Sequence, residues 1–409
     1  MAFLLMDVRR MICNIPVFEK INKDMCCGCE ACANICPKSI ISFMSDEEGF
    51  RFPSIDPNEC IKCNACVKVC PAINTNSEKE IDFKVKAGYL LDNNLVRSSS
   101  SGGYFSAFVE AFKKIYQNGK IVGVVWDMNY RYVHHIVASE ESLALMRGSK
   151  YIQSRKDYVY GEIKQYLIDG NAVLFTGTGC EVAALKRYLS IDYPLLYTID
   201  IICKGSCSEK PFVEFVSGLE NRYKSKITNI NMRYVGWKTW IPQWIKIDFV
   251  NGKYYKKIFY TTDFGRAFYL MQRKSCATCM YSGKRRVSYI TLGDFHGADK
   301  EKEYYNPNGV SIAVLNTSKG EKLIDDIDYK SVRLVDVSYD EVALANPCLR
   351  GPVGENPKRE QFSHYLSSFG LREAVAKTYP LKEKIINHLP PNLARNLYII
   401  VRRMKGKNI

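Results

Sequence analysis

Cys26-Cys27-Gly28-Cys29-Glu30-Ala31-Cys32-Ala33-Asn34-Ile35-Cys36-Pro37 carries four cysteines spaced C-x2-C-x2-C-x3-C ahead of a proline. Cys60-Ile61-Lys62-Cys63-Asn64-Ala65-Cys66-Val67-Lys68-Val69-Cys70-Pro71 carries the same pattern again. In such a pair, three cysteines of a run bind one iron–sulfur cube and the fourth ligates the other. The spacing therefore assigns Cys26, Cys29, Cys32 and Cys70 to one 4Fe-4S centre, and Cys60, Cys63, Cys66 and Cys36 to a second. Zinc also takes C-x2-C pairs, but it needs only four ligands in all, and eight thiolates in this order are more particular. Cys27, wedged between ligands, reads as a bystander.

The rest of the composition agrees with a metal-bearing globular chain. The 409 residues include 16 cysteines, and no segment directs export, so a reducing compartment would keep these thiols free for metal. Hydrophobic residues make up 46% and charged residues 25%, which is ordinary globular usage. No apolar run approaches the roughly 18 residues of a membrane-spanning helix, and Met1 to Met6 is too short for a signal segment. The expectation is a cytoplasmic protein. The formal net charge is +15, but it is concentrated beyond Gly370, so the basic balance says little about the body of the protein. No aromatic stacking platform accompanies it, and nucleic acid is not expected as a partner.

Four stretches organise the chain: an extension over 1–20, a ferredoxin-type domain over 21–76, a larger domain over 83–365 and a basic helical tail over 370–409. The polar run Asn74 to Glu80 reads as a linker. Beyond it, helical and strand patterns alternate. Phe105, Phe108, Val109, Phe112, Ile115 and Tyr116 share a helical face, Ile121 to Trp126 and Ala172 to Phe175 read as strands, and Glu181 to Leu189 reads as a helix before a strand at Leu195 to Ile202. This order predicts an α/β layer with a largely parallel sheet. Around Asn229 to Tyr260 the texture turns to β-hairpin, with Asn251-Gly252 as the turn. The fold class is thus mixed, α+β and α/β: a small bacterial-type two-cluster ferredoxin domain fused to a larger mixed α/β domain.

Four more cysteines sit in suggestive places. Cys180 ends the loop Thr176-Gly177-Thr178-Gly179 after a strand, Cys203 follows the next strand, and Cys276 and Cys279 form a C-x2-C pair. Strand ends of a parallel sheet are where such folds gather their sites. The four could form a nest for a third cluster, although buried structural cysteines are common. Cys13, Cys207 and Cys348 have no partner pattern.

Ser99-Ser100-Ser101-Gly102-Gly103, Gly148 to Ser154, Leu174 to Cys180, Asp200 to Gly205, Ser275 to Cys279 and Leu292 to Gly297 together resemble the beta subunit of coenzyme F-420 hydrogenase/dehydrogenase. Met232-Arg233 with Gly236-Trp237-Lys238, and Asn356 to Arg359 with Phe362, are weaker matches. Departures from the family pattern are Gly179, Lys204, His296 and the absence of an acidic residue near Ser288-Tyr289. The resemblance implies a flavoprotein passing electrons between FAD and 4Fe-4S clusters, and it strengthens the third cluster at Cys180, Cys203, Cys276 and Cys279. It also implies a ferredoxin or other redox partner and a small-molecule substrate or coenzyme. The alternative is an electron-relay subunit without its own substrate, serving a partner enzyme in a setting such as surface-polysaccharide synthesis.

For the FAD, Ser101, Gly102 and Gly103 precede an amphipathic helix whose N-terminus suits a pyrophosphate, although an ordinary helix cap reads the same way. Gly177 and Thr178 resemble half of a dinucleotide fingerprint, with Val182 where the third glycine would stand. Lys150 is a candidate for neutralising phosphate or reduced flavin. No hydrolytic constellation stands out, and the catalytic acid or base is not assigned. In the tail, Leu393, Leu397, Ile400 and Met404 recur at helical spacing beside Arg395, Arg402, Arg403, Lys405 and Lys407. Two readings stand there: a helix docked on the protein's own body, or peripheral contact with an anionic membrane surface.

Overall fold

In the computed structural model residues 15–73, 83–235 and 239–379 are described, together with Leu393, Asn396, Leu397 and Ile400. The linker Asn74 to Glu80, the Gly236-Trp237-Lys238 motif, Cys13, and Arg395, Arg402, Arg403, Met404, Lys405 and Lys407 of the tail lie outside the described residues. The N-terminal unit holds two short helices, Ala31–Ile35 and Ala65–Val69, and an antiparallel hairpin of β1 (Ser42–Ser45) and β2 (Arg51–Ser54). Each helix begins one residue after a left-handed residue, Glu30 at φ 62° and Asn64 at φ 59°. Both reversals fall between the second and third cysteine of a run and fold the ligand loop back on itself.

The larger unit lays down β3 (Lys84–Leu90), β4 (Lys120–Trp126), β5 (Val133–Val137), β6 (Ser154–Arg155), β7 (Val173–Thr178) and β8 (Leu196–Ile201). Three strands then form a separate antiparallel sheet, β9 (Ile227–Tyr234), β10 (Trp244–Phe249) and β11 (Tyr254–Ile258). The chain returns with β12 (Ile290–Asp294), β13 (Ser311–Leu315) and β14 (Val332–Val337) to complete a nine-stranded sheet ordered β14-β3-β13-β12-β8-β7-β4-β5-β6. The inner run β12-β8-β7-β4 is parallel. The sheet as a whole is less parallel than the alternation of elements suggests, because β13 pairs antiparallel with both β12 and β3, and β14 and β5 pair antiparallel as well. Those strands arrive by connections that place no crossover helix between parallel neighbours.

Alternating side chains bury both faces of the inner strands. On β4, Ile121 and Val125 pack with the helix Tyr104–Ile115, while Val122 packs with Val159–Ile168 and Gly179–Leu189. On β7, Leu174 joins the first set and Val173 and Phe175 the second. A third core fills the space between the β9–β11 sheet and the helices Glu209–Tyr223 and Arg359–Thr378, and Phe50 and Phe52 from the N-terminal hairpin belong to it. The N-terminal unit is therefore packed into the larger one.

Glu48, in the turn of that hairpin, shows how. Both Arg359 terminal nitrogens donate to its carboxylate, at 2.9 and 2.5 Å, and Ser363 Oγ donates at 2.5 Å. Burial works against the Glu48 charge, but the hydrogen bonds from Arg359 and Ser363 outweigh it and hold the pKa below the usual value. Arg359, with Phe362 buried beside it, thus anchors the last helix to the ferredoxin-type hairpin. Arg359→Ala should destabilise the protein by about 3 kcal/mol, as expected when one partner of a buried pair is removed, read as a lower midpoint in chemical unfolding. A depressed folded pKa stabilises above the unfolded value and stops doing so as pH falls through it. The gap between wild type and Arg359→Ala should therefore shrink below about pH 4.3. A gap independent of acid would remove the pair from the account.

Candidate metal centres

Each cysteine run has its fourth ligand brought to the other run. Cys32 has Cys26, Cys70 and Cys66 within electrostatic reach, and Cys29 has Cys32 and Cys70. Cys26, Cys29, Cys32 and Cys70 thus meet in one nest. Cys36, Cys60, Cys63 and Cys66 line one cavity together with Pro16, Ile40 and Ile55. Among the described residues, no three His, Cys, Asp or Glu side chains close on a single metal ion.

The third set also converges. Cys203 has Cys276, Cys180 and Cys279 within electrostatic reach, and Cys276 and Cys279 each have Cys180. Cys180 and Cys203 are delivered by the ends of the parallel neighbours β7 and β8, and the short helix Lys274–Ala277 brings the C-x2-C pair across them. The sulfurs have donors of their own: Gly205 N–H to Cys203 at 3.4 Å, Tyr281 N–H to Cys279 at 3.4 Å, and Thr178 Oγ1 3.2 Å from Cys180. Burial pushes the Cys276 thiol up to about 12 and the Cys279 thiol up to about 11, with neighbouring cysteines adding to it. Four crowded thiols that resist ionisation alone, yet are ringed by donors to sulfur, suit a cationic cluster that takes thiolates. Cys207 and Cys348 lie buried elsewhere.

Residues with no motif of their own join this nest to the N-terminal unit. Arg273, three positions before Cys276, donates from Nε to Cys26 O at 2.6 Å and from Nη2 to Arg51 O at 2.7 Å. It also holds Gln153 Oε1 at 2.8 Å, and Gln153 Nε2 in turn donates to Cys27 O at 2.5 Å and Gly28 O at 2.9 Å. Tyr160 Oη donates to Cys29 O at 3.2 Å and Tyr281 Oη to Pro71 O at 2.7 Å. Cys27 packs, partly buried, against the apolar cluster that includes Cys29, Val182 and Ala184.

A buried charge network supports the Cys180 loop. Lys156, fully buried, donates to Glu181 Oε1 and to the Ser154 carbonyl at 2.6 Å. Glu181 completes a capping box with Thr178, accepting from its N–H at 2.8 Å. Burial raises the Glu181 pKa, but Lys156 and His135 outweigh it and hold the group ionised. His135 stacks on Phe175 and lies 3.0 Å from Thr176 O, and burial depresses its pKa to about 4.

The residues predicted for the flavin divide. Gly177 and Thr178 are taken up in the capping of the Cys180 helix. Gly102 is needed by the protein's own backbone, since a Cβ there would meet Gly88 O at 2.3 Å and Ser311 N at 2.6 Å. Ser101 Oγ is 2.7 Å from Ser311 Oγ, and Gly103 is the left-handed cap of the helix Tyr104–Ile115. Lys150 turns its ammonium onto the carbonyls of Met146, Arg147 and Gly148 at 3.1 to 3.3 Å, and burial lowers its pKa to about 7.

The two loops nevertheless meet, with Ser100 Oγ 2.8 Å from Ser149 Oγ. Arg233 draws in a third, donating to Ser100 O at 3.0 Å, Tyr151 Oη at 3.2 Å and Asp294 Oδ2 at 2.5 Å. Burial opposes the Arg233 charge, but Asp294 outweighs it. His296 lies 3.5 Å from the same Asp294 oxygen and stacks on Trp240. Ser100, Tyr151, Asp294 and His296 all fall in segments that carry the family resemblance, and Arg233 itself is signalled by the short Met232-Arg233 pattern.

Comparisons with known proteins bear on two parts of the chain. Residues 170–337 match the family model for the C terminus of the beta subunit of coenzyme F-420 hydrogenase/dehydrogenase. Residues 25–74 and 52–104 match two models of 4Fe-4S dicluster domains. The coenzyme F-420-dependent sulfite reductase of Methanocaldococcus jannaschii is 24% identical over 319 residues, covering 76% of this chain and 47% of that protein. The chain therefore spans about half the length of this curated relative. A chain from the F-420-reducing NiFe hydrogenase complex of Methanosarcina barkeri aligns with a TM-score of 0.45 and 14% identity, over 74% of this chain and 93% of that one. Residues 170–337 thus resemble the C terminus of the coenzyme F-420 hydrogenase/dehydrogenase beta subunit, behind a stretch that matches 4Fe-4S dicluster domains.

Proposed function

We propose that the chain is an iron–sulfur flavoprotein oxidoreductase that moves electrons between a redox partner, such as a ferredoxin, and a hydride-accepting substrate or coenzyme. The observation that carries this reading is the convergence of Cys180, Cys203, Cys276 and Cys279 at the ends of β7 and β8, beside the nest of Cys26, Cys29, Cys32 and Cys70. Bound clusters exchange single electrons and a bound flavin exchanges pairs, so the combination links one-electron donors to hydride chemistry. Arg273 and Gln153 hold the first nest against the third set, and Tyr281 ties the Cys279 loop to the backbone after Cys70. The FAD is assigned to the junction of the Ser100–Gly103 and Gly148–Lys150 loops. There a helix N-terminus, buried Lys150 and Arg233 supply an environment for anionic phosphate.

The matched relative is named for its dependence on coenzyme F-420, which supports a coenzyme of that class as the hydride partner. A relay subunit that hands electrons to a partner enzyme would use the same thiol nests without the flavin junction. Flavin content separates the two.

The anaerobically purified chain should hold about twelve irons, about four for each of three clusters. Cys276→Ala combined with Cys279→Ala should lose about a third of that iron and keep the ferredoxin-type signals. Unchanged iron would end the third cluster. Noncovalent FAD should copurify at up to about one per chain, the content of a single dinucleotide site. Gly148 has a left-handed φ of 82° and open space where a Cβ would stand, and aspartate tolerates that conformation better than most residues. Gly148→Asp should thus put negative charge at the junction with little steric cost and strip the FAD. Full occupancy in that variant would move the flavin elsewhere.

A further inference from the structure

Among the described residues, Arg273 is a buried cation that no carboxylate holds. It is 2% exposed, and its guanidinium donates to neutral acceptors: Cys26 O at 2.6 Å, Arg51 O at 2.7 Å and Gln153 Oε1 at 2.8 Å. The rings of Phe52 and Phe50 lie 4.3 and 5.4 Å from its central carbon. In the adjoining hairpin turn, Asp46 is paired with Lys23 and Glu48 with Arg359. A buried charge without an anion is costly, and one further contact answers it: Nη2 donates to Cys26 Sγ at 3.8 Å. When Cys26 holds iron, that sulfur is a thiolate. The placement comes from the large unit. Arg273 N–H donates to Ser206 O and Cys276 N–H to Arg273 O, each at 2.9 Å. The Arg273 backbone thus belongs with the short helix of the third set, while its side chain reaches the first nest. Gly28 turns left-handed at φ 66°, and a Cβ on it would stand 2.9 Å from Arg273 Nη1. Only glycine lets the ligand loop lie this close to the guanidinium. Among the described residues, no side chain donates to a sulfur of Cys36, Cys60, Cys63 or Cys66. The two N-terminal runs, alike in spacing, therefore differ in this cation.

We infer that Arg273 is a positioning residue and the counter-ion of the first N-terminal centre, and that its charge beside Cys26 raises the reduction potential of that centre and not of the second. This rests on the assignment of Cys26 to the first centre and needs neither the third cluster nor the flavin. Net charge and hydrogen bonds to the ligand sulfurs are among the determinants of cluster potential. A cube held by four thiolates is anionic and gains a further negative charge on reduction, so a fixed cation at one ligand favours the reduced state. A guanidinium stays protonated at any working pH, so the effect involves no titration.

The test uses the full chain, purified anaerobically, as wild type, Arg273→Gln and Arg273→Lys. Iron is counted, and a redox titration is followed by electron paramagnetic resonance. Arg273→Gln should make one of the two ferredoxin-type centres harder to reduce and leave the other in place. The equilibrium of the affected centre should change about tenfold, as for loss of a hydrogen bond to a charged group. That corresponds to about 59 mV for one electron. Arg273→Lys, which keeps the charge and loses the fork, should recover part of the shift. Iron lost from Arg273→Gln but kept in Arg273→Lys would support the counter-ion as well, since the charge would then be what holds the cube. Unchanged potentials, equal shifts in both centres, or the same shift in both variants would overturn the proposal. Iron lost from both variants would make Arg273 a structural clamp and overturn it too. Wild type without ferredoxin-type signals would instead overturn the N-terminal centre on which it rests.

Discussion

The buried ammonium of Lys156 governs how the redox region is assembled. A fully buried cation is tolerated only where its partners are fixed, and here they come from both units. Its side chain binds Glu181 and Ser154, and its backbone N–H donates to Glu30 Oε2 at 2.8 Å. Glu30 is itself paired with Arg51, Nη1 to Oε1 at 2.6 Å. Glu181 caps the helix that begins behind Cys180. One charge network thus runs from the second N-terminal strand, through the turn between Cys29 and Cys32, to the loop that delivers Cys180.

This explains how a ferredoxin-type unit comes to be inlaid in a larger one. Its outer turn is held by Arg359, its ligand loop by Arg273 and Gln153, and its left-handed Glu30 by Lys156 and Arg51. Charge-assisted bonds of this kind are directional, so they set orientation as well as adhesion, and electron exchange between neighbouring centres depends on orientation. Phe50 and Phe52 add apolar burial to the same contact. Among the described residues no helix is long and apolar enough to cross a membrane. Leu393, Leu397 and Ile400 of the tail are exposed.

The second polar centre, around Arg233, has a different character. It gathers three loops at the end of the large sheet, with Asp294, Tyr151 and Ser100 O as partners. Asp294 also faces His296, and His296 is stacked on Trp240. Gly179, a departure from the family pattern, has its own reason, since a Cβ there would come within 2.9 Å of Tyr281 Cβ.

The eight N-terminal ligands are legible in the sequence because short loops carry most of each ligand set, and local spacing dictates their geometry. The strands at Ile121 to Trp126 and Leu195 to Ile202 are legible too, since a buried sheet imposes its own apolar pattern on each segment. Where distant segments meet is settled in three dimensions. Gly102 reads as a phosphate loop, and only the fold shows its close approach to the backbone of β3 and β13. Lys150 reads as a phosphate neighbour, and only the fold shows its ammonium donating to the Met146, Arg147 and Gly148 carbonyls. Arg273 has no motif to announce it, and nothing in the Gly148 to Ser154 segment shows that Gln153 reaches the Cys27 and Gly28 carbonyls. Their partners lie up to 247 positions away, and a contact between such segments leaves no period or spacing in the chain. Local chemistry is written in order along a sequence; the junction of two sites is set by packing alone.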